Sequence, residues 1–246
     1  MHIFRVLAKV LGLLLHVLKG WWTIRLHFPH MDTAAQQREV EVWSKQVLVV
    51  LGITLRVRGS MPAQGPLLLV SNHISWLDIA VVHAAGYCRF VSKSEIKHWP
   101  LVGTLATGVG TLYIERAKRR DAMRVVHHMA EHLQAGEVVA VFPEGTTSDG
   151  RGVLPFHANL FQAAISSHAP VLPMALRFVD AHTGAPHDGP RFAGDDTLFG
   201  SLWRTLSASN IAAEVAYGQP QHADGRDRRT WARDLQQAVE QLHQFR

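Results

Sequence analysis

Short apolar runs alternate with segments of helical period along the chain from residue 53 onward. Ile53–Arg58 alternates between apolar and polar residues, which predicts a half-buried strand, whereas Leu67–Val70 is continuously apolar and predicts a fully buried one. Further strands are expected at 88–92, 111–115, 137–142, 171–178 and 211–217, and helices at 121–134, 156–167 and 227–244. An earlier helix is expected to begin at the N-cap residues Asp32 or Thr33 and to end at Gly52, and the segment 180–196, rich in Gly, Pro, His and Asp, is expected to be an exposed loop. Because strands that alternate with helices form parallel sheets, the pattern predicts an α/β protein whose mainly parallel sheet is flanked by helices on both faces.

The first 52 residues are predicted to form a helical, membrane-associating arm ahead of an α/β domain at residues 53–246. Residues 2–20 are apolar apart from one stripe, and charges within this length argue against a transmembrane span. On a helical wheel the stripe covers about 100° and contains His2, Arg5, Lys9, Gly12, His16 and Lys19. This pattern favours a helix that lies in the membrane interface, with the basic stripe attracted to anionic lipid and residues 1–28 making the contact. The alternative is a helix packed on the protein's own core.

Composition and charge narrow the possible partners only slightly. The chain has 246 residues, of which 47% are hydrophobic and 18% charged, and its formal net charge is +5. A basic protein suits nucleic acid, anionic lipid or phosphorylated substrates, but the basic residues are not interleaved with stacking aromatic residues, so no nucleic-acid partner is predicted. The single cysteine, Cys88, fits a reducing compartment. No Cys/His spacing resembles a zinc site, and neither a metal nor a cofactor is predicted.

Candidate chemistry begins where the Leu67–Val70 strand ends, at Asn72 and His73, with Asp78 five positions after the histidine. Histidine titrates near neutral pH and can exchange a proton under cellular conditions. A carboxylate that bonds one ring nitrogen fixes the tautomer and stabilises the imidazolium formed when the other nitrogen is protonated. The pair therefore has the parts of a general base and its orienting group. The same residues also fit a helix-capping box with Ser75 as N-cap, so this motif alone does not establish catalysis.

Two other predicted strands also end in polar residues. Glu115 and Arg116 follow the 111–114 strand, and the segment Phe142–Ser148 follows the 137–141 strand. An arginine can hold a phosphate with two hydrogen bonds, and a glycine lets backbone N–H groups approach an anion. Since ligands of parallel sheets lie at the carboxyl ends of the strands, these loops are expected to converge on one pocket that holds a base and an anion site. Alternatively, they are a solvated helix start and a polar turn.

Taken together, the loops resemble the glycerolipid acyltransferase family that includes 1-acylglycerol-3-phosphate acyltransferases. The family's first motif, Asn-His-four residues-Asp, matches Asn72, His73 and Asp78, and its second matches the segment from Gly110 to Arg116. The third, Phe-Pro-Glu-Gly-Thr-Arg-Ser, matches 142–148 except at Thr147, where the family usually has arginine. A fourth, an apolar strand with a proline, matches 171–176. The order and spacing hold over about residues 66–177, and the similarity predicts the glycerol-3-phosphate acyltransferase-like α/β fold.

The resemblance implies transfer of a fatty acyl group from acyl-carrier protein or acyl-CoA to the sn-2 hydroxyl of lysophosphatidic acid. It implies that His73 is the general base, oriented by Asp78, at the cytoplasmic face of the cell membrane. It further implies a set of substrate-binding residues, namely Asn72, Arg116, Glu144, Gly145 and Thr146. No Gly-x-Ser-x-Gly elbow is present, so no acyl-enzyme nucleophile is expected.

Three alternatives stay open at the level of the sequence. The acceptor could be another lysolipid such as lyso-ornithine lipid, because family members that make ornithine lipids look similar around the third motif, with Ser-Asp-Gly after it as at 148–150. The protein could instead be a lipid hydrolase that uses water in place of the acceptor. It could also be a non-catalytic membrane lipid-binding protein, which the presence of His73, Asp78, Arg116 and Glu144 disfavours.

Overall fold

Seven strands and eight α-helices make up the computed structural model, which describes residues 2–114 and 119–244. The strands are β1 (Ile53–Arg58), β2 (Leu67–Ser71), β3 (Arg89–Lys93), β4 (Leu112–Ile114), β5 (Val138–Val141), β6 (Val171–Asp180) and β7 (Ile211–Tyr217). The helices are α1 (His2–Trp22), α2 (Thr33–Leu51), α3 (Asp78–Ala85), α4 (Val102–Gly108), α5 (Arg119–Gln134), α6 (Gln162–Ser167), α7 (Leu198–Ser207) and α8 (Arg228–Gln244).

The strands form one sheet in the order β1-β7-β6-β2-β5-β3-β4. Every neighbouring pair is parallel except β6 and β7, which run antiparallel, so β1 and β7 point opposite to the other five. The predicted mainly parallel sheet with flanking helices is therefore confirmed. Strand β2 lies between β5 and β6, and the chain leaves it toward β3 on one side and returns to β6 on the other. Ligands of open α/β sheets bind at such a switch point.

Strand β2 is buried on both faces because helices cover both sides of the sheet. Leu67 and Leu69 belong to the hydrophobic cluster that includes side chains of α2 and α3. Leu68 and Val70 belong to a second cluster, which includes side chains of α5, α6 and α8. None of these four residues is more than 1% exposed. The continuous apolar run in the sequence follows from this two-sided burial, and it fixes the strand that carries the candidate base.

Helix α2 begins and ends at the residues that its sequence predicts. The Asp32 side chain caps the first turn by accepting a hydrogen bond from the Ala35 N–H at 2.7 Å. Gly52 ends the helix in the left-handed conformation, with φ of 71°. The predicted division between arm and domain falls at this turn, and Leu48 and Leu51 of α2 join the same hydrophobic cluster as the sheet. The structure therefore packs α2 directly on the α/β core.

Helix α1 turns its polar stripe toward the protein and its apolar face outward. The Lys9 ammonium donates to the Ala208 carbonyl at 3.1 Å. The His16 ring is 8% exposed, stacks on Trp43 at 4.9 Å and bonds the Trp43 carbonyl at 2.9 Å. Arg5 and Lys19, which lie toward the two ends of the helix, are exposed. The exposed apolar residues of this helix are Ile3, Phe4, Leu7, Val10, Leu11, Leu14, Leu15 and Trp22.

The prediction that the basic stripe faces lipid is therefore wrong for its central residues. The helical period located the stripe correctly, but backbone carbonyls of α2 and of the segment after α7 satisfy the polar groups inside the protein. The surface that α1 exposes is mainly apolar. Among residues 2–114 and 119–244, no helix combines the length and the apolar character needed to cross a bilayer.

This orientation predicts that the arm binds membranes through apolar contact more than through charge. Replacing Leu7 and Leu11 with serine should weaken binding to neutral phosphatidylcholine vesicles, by about 1 kcal/mol for each half-exposed leucine. Replacing exposed Arg5 and Lys19 with serine is the matched control and should have a smaller effect. Vesicle co-sedimentation at low and high salt measures both. Binding that collapses in salt but tolerates the leucine substitutions would contradict the interpretation.

Candidate active site

The candidate active site is organised by one carboxylate oxygen at the start of α3. Asp78 Oδ2 accepts hydrogen bonds from His73 Nδ1 at 2.7 Å, from the Ile74 N–H at 2.6 Å and from the Ser75 N–H at 2.9 Å. The Asp78 residue is 0% exposed. The carboxylate therefore fixes both the side chain of His73 and the backbone turn that follows it.

The two interpretations of this segment turn out to be compatible. The Ser75 N–H donates to Asp78, and the Ser75 hydroxyl accepts from the Leu77 N–H at 3.2 Å, so capping-type bonds are present. The helix itself begins at Asp78, two residues later than a Ser75 N-cap would place it. The oxygen that closes the turn also bonds the histidine ring. Helix capping and orientation of the candidate base thus use the same carboxylate.

The bond to Asp78 places the proton of neutral His73 on Nδ1 and leaves Nε2 with a free lone pair. The ring also stacks on Phe142, with centroids 4.0 Å apart and planes 5° from parallel. Phe142 stacks in turn on Phe90 of β3. The His73 side chain remains 21% exposed. The imidazole is thus held on one edge and one face, while part of the ring stays accessible to a substrate.

The loop after β5 is tied to the backbone of the candidate base. Both the N–H and the hydroxyl of Ser148 donate to the His73 carbonyl, at 2.7 and 3.1 Å. Gly145 in this loop has φ of 71°, and a Cβ there would lie 2.9 Å from the His157 ring. Thr146 is exposed. The structure therefore brings the predicted Gly145 and Thr146 to the same edge of the sheet as His73 and Asp78.

Glu144 is the most perturbed carboxyl group of this loop. It is 4% exposed, and neither carboxyl oxygen makes a well-aligned hydrogen bond among the described residues. The pKa of Glu144 is raised to about 8, chiefly by burial and to a smaller extent by the charge of Asp78, against the lowering effect of the nearby backbone N–H groups of Leu154 and His73. Glu144 is therefore largely a neutral acid at pH 7, able to donate a hydrogen bond beside the base.

Asn72 and Arg116 differ from the other predicted site residues. Asn72 is 0% exposed; its amide donates to the Leu176 carbonyl at 2.9 Å and accepts from the Leu176 N–H at 2.8 Å. This geometry favours a positioning role, in which Asn72 locks the end of β2 to β6, over the substrate contact that the resemblance implies. Arg116, with its neighbour Glu115, lies outside the described residues.

A segment that the sequence did not implicate also packs on the motif. Residues 180–196 were predicted as an exposed loop because they are rich in glycine, proline and polar residues. In the structure the Ser75 hydroxyl donates to the Pro190 carbonyl at 2.5 Å, and the Phe192 N–H donates to the Ile74 carbonyl at 3.0 Å. Trp76 Nε1 donates to the Ser201 hydroxyl at 3.2 Å. These bonds use mostly backbone carbonyls, which carry no sequence signal.

Comparison with known proteins agrees with the resemblance. The profile of the Acyltransferase family matches residues 53–177. A lyso-ornithine lipid O-acyltransferase of Pseudomonas aeruginosa is 35% identical over 235 residues, 94% of this chain and 90% of that protein. A 1-acyl-sn-glycerol-3-phosphate acyltransferase of Neisseria gonorrhoeae is 39% identical over 184 residues, 74% of this chain and 71% of that protein. The chain therefore belongs to the acyltransferase family and is an acyltransferase enzyme.

The fold has a solved counterpart over its whole length. The crystal structure of the 1-acyl-sn-glycerophosphate (LPA) acyltransferase PlsC from Thermotoga maritima matches with a TM-score of 0.71, covering 100% of this chain and 99% of that one. The sequence identity is 22%. This likeness supports the α/β acyltransferase fold, including the placement of helices before the first strand.

If His73 is the general base, His73→Ala should remove acyl transfer while the protein stays folded. A positioned base contributes about 10²–10⁴ to the rate. Asp78→Asn should also slow turnover steeply, since an amide cannot stabilise the imidazolium, but it disturbs two backbone bonds as well. Thiol release from an acyl-CoA measures the reaction, and thermal unfolding of each variant reports the fold. The exposed His127 on α5 provides a control, His127→Ala; near-normal transfer by folded His73→Ala would refute the assignment.

The raised pKa of Glu144 predicts a specific pH dependence of stability. The ordinary pKa is 4.5 and the folded value about 8, so between these values the folded chain holds a proton that the unfolded chain has lost. Glu144 therefore lowers the free energy of unfolding as pH rises through this window. Glu144→Gln removes the effect, so the variant should gain stability relative to the parent from pH 5 to pH 8. Urea unfolding at both pH values measures this, and a pH-independent difference between the two proteins would contradict it.

Proposed function

We propose that the chain transfers a fatty acyl group from a thioester to the free hydroxyl of a lysolipid. The observation that carries the proposal is the bond between His73 Nδ1 and the buried Asp78 carboxylate, which leaves Nε2 as an accessible base. Family membership supports the reaction class, and the two named relatives act on lysolipids according to their names. The proposed location is the cytoplasmic face of the cell membrane, with contact through residues 1–28.

In this mechanism the acceptor oxygen attacks the thioester carbonyl carbon while Nε2 of His73 takes the hydroxyl proton. The resulting imidazolium is stabilised by Asp78. When the tetrahedral intermediate collapses, the carbon–sulfur bond breaks and the leaving thiolate receives the proton from Nε2. The products are an ester and a free thiol, and the base is regenerated. The stacking of His73 on Phe142 holds the ring in one orientation throughout, which limits the reorganisation needed in each step.

Lysophosphatidic acid, giving phosphatidic acid, is the acceptor that the resemblance implies. Its phosphate needs a cation, and the family usually provides one where this chain has Thr147. The loss of one charge-assisted bond costs about 1.5–3 kcal/mol. In this proposal Arg116, together with its basic neighbours, supplies that charge.

Lyso-ornithine lipid is the second candidate acceptor, and two observations favour it. Thr147 replaces the cation in the loop beside His73, and the lyso-ornithine lipid O-acyltransferase named above resembles this chain over 94% of its length. An acceptor without a phosphomonoester has less need of an arginine at this point of the loop.

A parallel assay with both acceptors and either donor, acyl-carrier protein or acyl-CoA, tests the function. We expect ester formation to exceed thioester hydrolysis, whereas release of free fatty acid without ester would indicate a hydrolase. Arg116→Ala should raise KM for lysophosphatidic acid with less effect on the acyl donor.

Restoring the family residue gives the matched gain-of-function variant. Thr147→Arg should improve kcat/KM for lysophosphatidic acid relative to lyso-ornithine lipid by about tenfold or more, because it adds a charge-assisted bond to phosphate. An enzyme that ignores lysophosphatidic acid and acylates lyso-ornithine lipid would decide the acceptor for the second candidate, while the roles of His73 and Asp78 would stand.

A further inference from the structure

Helix α7 presents two large apolar side chains to its surroundings. Phe199 is 77% exposed and Trp203 is 47% exposed. They are four residues apart and therefore share one face of the helix. Ser201 and Thr205 on the opposite side of the helix are buried, and so is Leu206 near its end. Among the described residues, the hydrophobic core clusters include neither Phe199 nor Trp203, and exposed aromatic residues of this kind mark contact surfaces.

Helix α7 packs beside α1, which also exposes apolar side chains. The two helices contact each other, and the Lys9 ammonium of α1 bonds the carbonyl of Ala208, the residue that ends α7. Leu7 and Leu11 of α1 are both more than half exposed. Apolar side chains are thus exposed on two neighbouring helices that are far apart in the sequence.

Helix α7 is also fixed to the turn that carries His73. The buried Ser201 hydroxyl accepts from Trp76 Nε1 and donates to the Arg191 carbonyl at 2.8 Å. The Arg204 guanidinium holds Asp196 with two bonds, at 3.0 and 2.9 Å, which closes the preceding loop against the helix. Helix α7 is therefore connected to the active-site turn through hydrogen bonds.

We propose that α7 is a second membrane-contacting element, in which Phe199 and Trp203 enter the interfacial region of a lipid bilayer beside α1. A bilayer is the occupant that fits, because α7 lies beside α1, which itself exposes apolar side chains, and because tryptophan favours the membrane–water interface. The proposal rests on the proposed function in one respect: the lysolipid acceptor resides in the bilayer. Contact through α7 holds the His73 turn at a fixed depth relative to that acceptor.

A single reactive thiol can report whether α7 meets lipid. Cys88 is 0% exposed, and burial raises the pKa of its thiol, so it resists labelling. The full-length Phe199→Cys protein can then be labelled at one site with an environment-sensitive fluorophore such as NBD. Titration with phosphatidylcholine vesicles should shift the emission to the blue and increase it severalfold. Met123→Cys, at a 76% exposed position on α5 across the sheet, is the matched control and should show little change.

Three results would overturn the proposal. They are an unchanged emission at position 199 when the protein is vesicle-bound, an equal shift at positions 199 and 123, and a shift that grows with protein concentration in the absence of lipid. The last would show that a second copy of the chain covers the face. Because fluorescence requires no acyl transfer, this experiment can fail while the proposed function stands, and the reverse also holds.

The activity of a surface variant gives an independent measurement. Phe199→Ser with Trp203→Ser should lower transfer to lysolipid in vesicles by about tenfold, as expected when apolar contact with the bilayer is lost. Transfer to a short-chain lysolipid dispersed in solution should change less than twofold. Equal losses on both substrates would indicate damage to the active site and contradict the membrane role.

Discussion

The buried carboxylate of Asp78 is the constraint on which the candidate active site depends. Removing an ionised carboxylate from water costs several kcal/mol unless other groups compensate. Here three donors converge on Oδ2, one from the His73 ring and two from the backbone of Ile74 and Ser75. The same bonds that make the burial tolerable also define the turn and the tautomer of the base. The conformation of the turn and the orientation of His73 therefore depend on the same carboxylate, so a substitution of Asp78 would affect both.

The sheet determines where this carboxylate lies. Strand β2 is central and buried on both faces, so its end is a fixed point in the molecule. Asn72 strengthens that point, because its amide pairs with both backbone groups of Leu176 and replaces hydrogen bonds that the ladder loses as β2 ends. The motif therefore begins with a residue whose structural contacts are complete within the core. Its amide shows how a motif residue can have a positioning role at the end of a strand.

Sequence reasoning predicted the parts of the molecule that depend on local or periodic signals. Burial on two faces makes β2 continuously apolar, and capping chemistry at Asp32 and Gly52 marks the ends of α2. The sequence did not predict which side of α1 faces the protein, because periodicity locates a polar stripe but does not identify what the stripe contacts. Hydrogen bonds between backbone groups that are far apart in the sequence could not be predicted either. The attachment of Pro190 and Phe192 to the His73 turn depends on carbonyl and amide groups that every residue possesses.

The orientation of α1, with its polar stripe toward the protein and its apolar face outward, is consistent with the hydrogen bonding of its polar groups. A helix in water hides its apolar face, so an exposed apolar face is stable only where the surroundings are themselves apolar. The polar groups of the stripe must then find partners inside the protein, and Lys9 and His16 do so at carbonyls of Ala208 and Trp43. The bonds of the polar half and the exposure of the apolar half therefore both indicate that the polar stripe of α1 faces the protein. Lys9 and His16, which the sequence assigned to lipid, instead fasten the helix to the protein, and its leucines remain exposed.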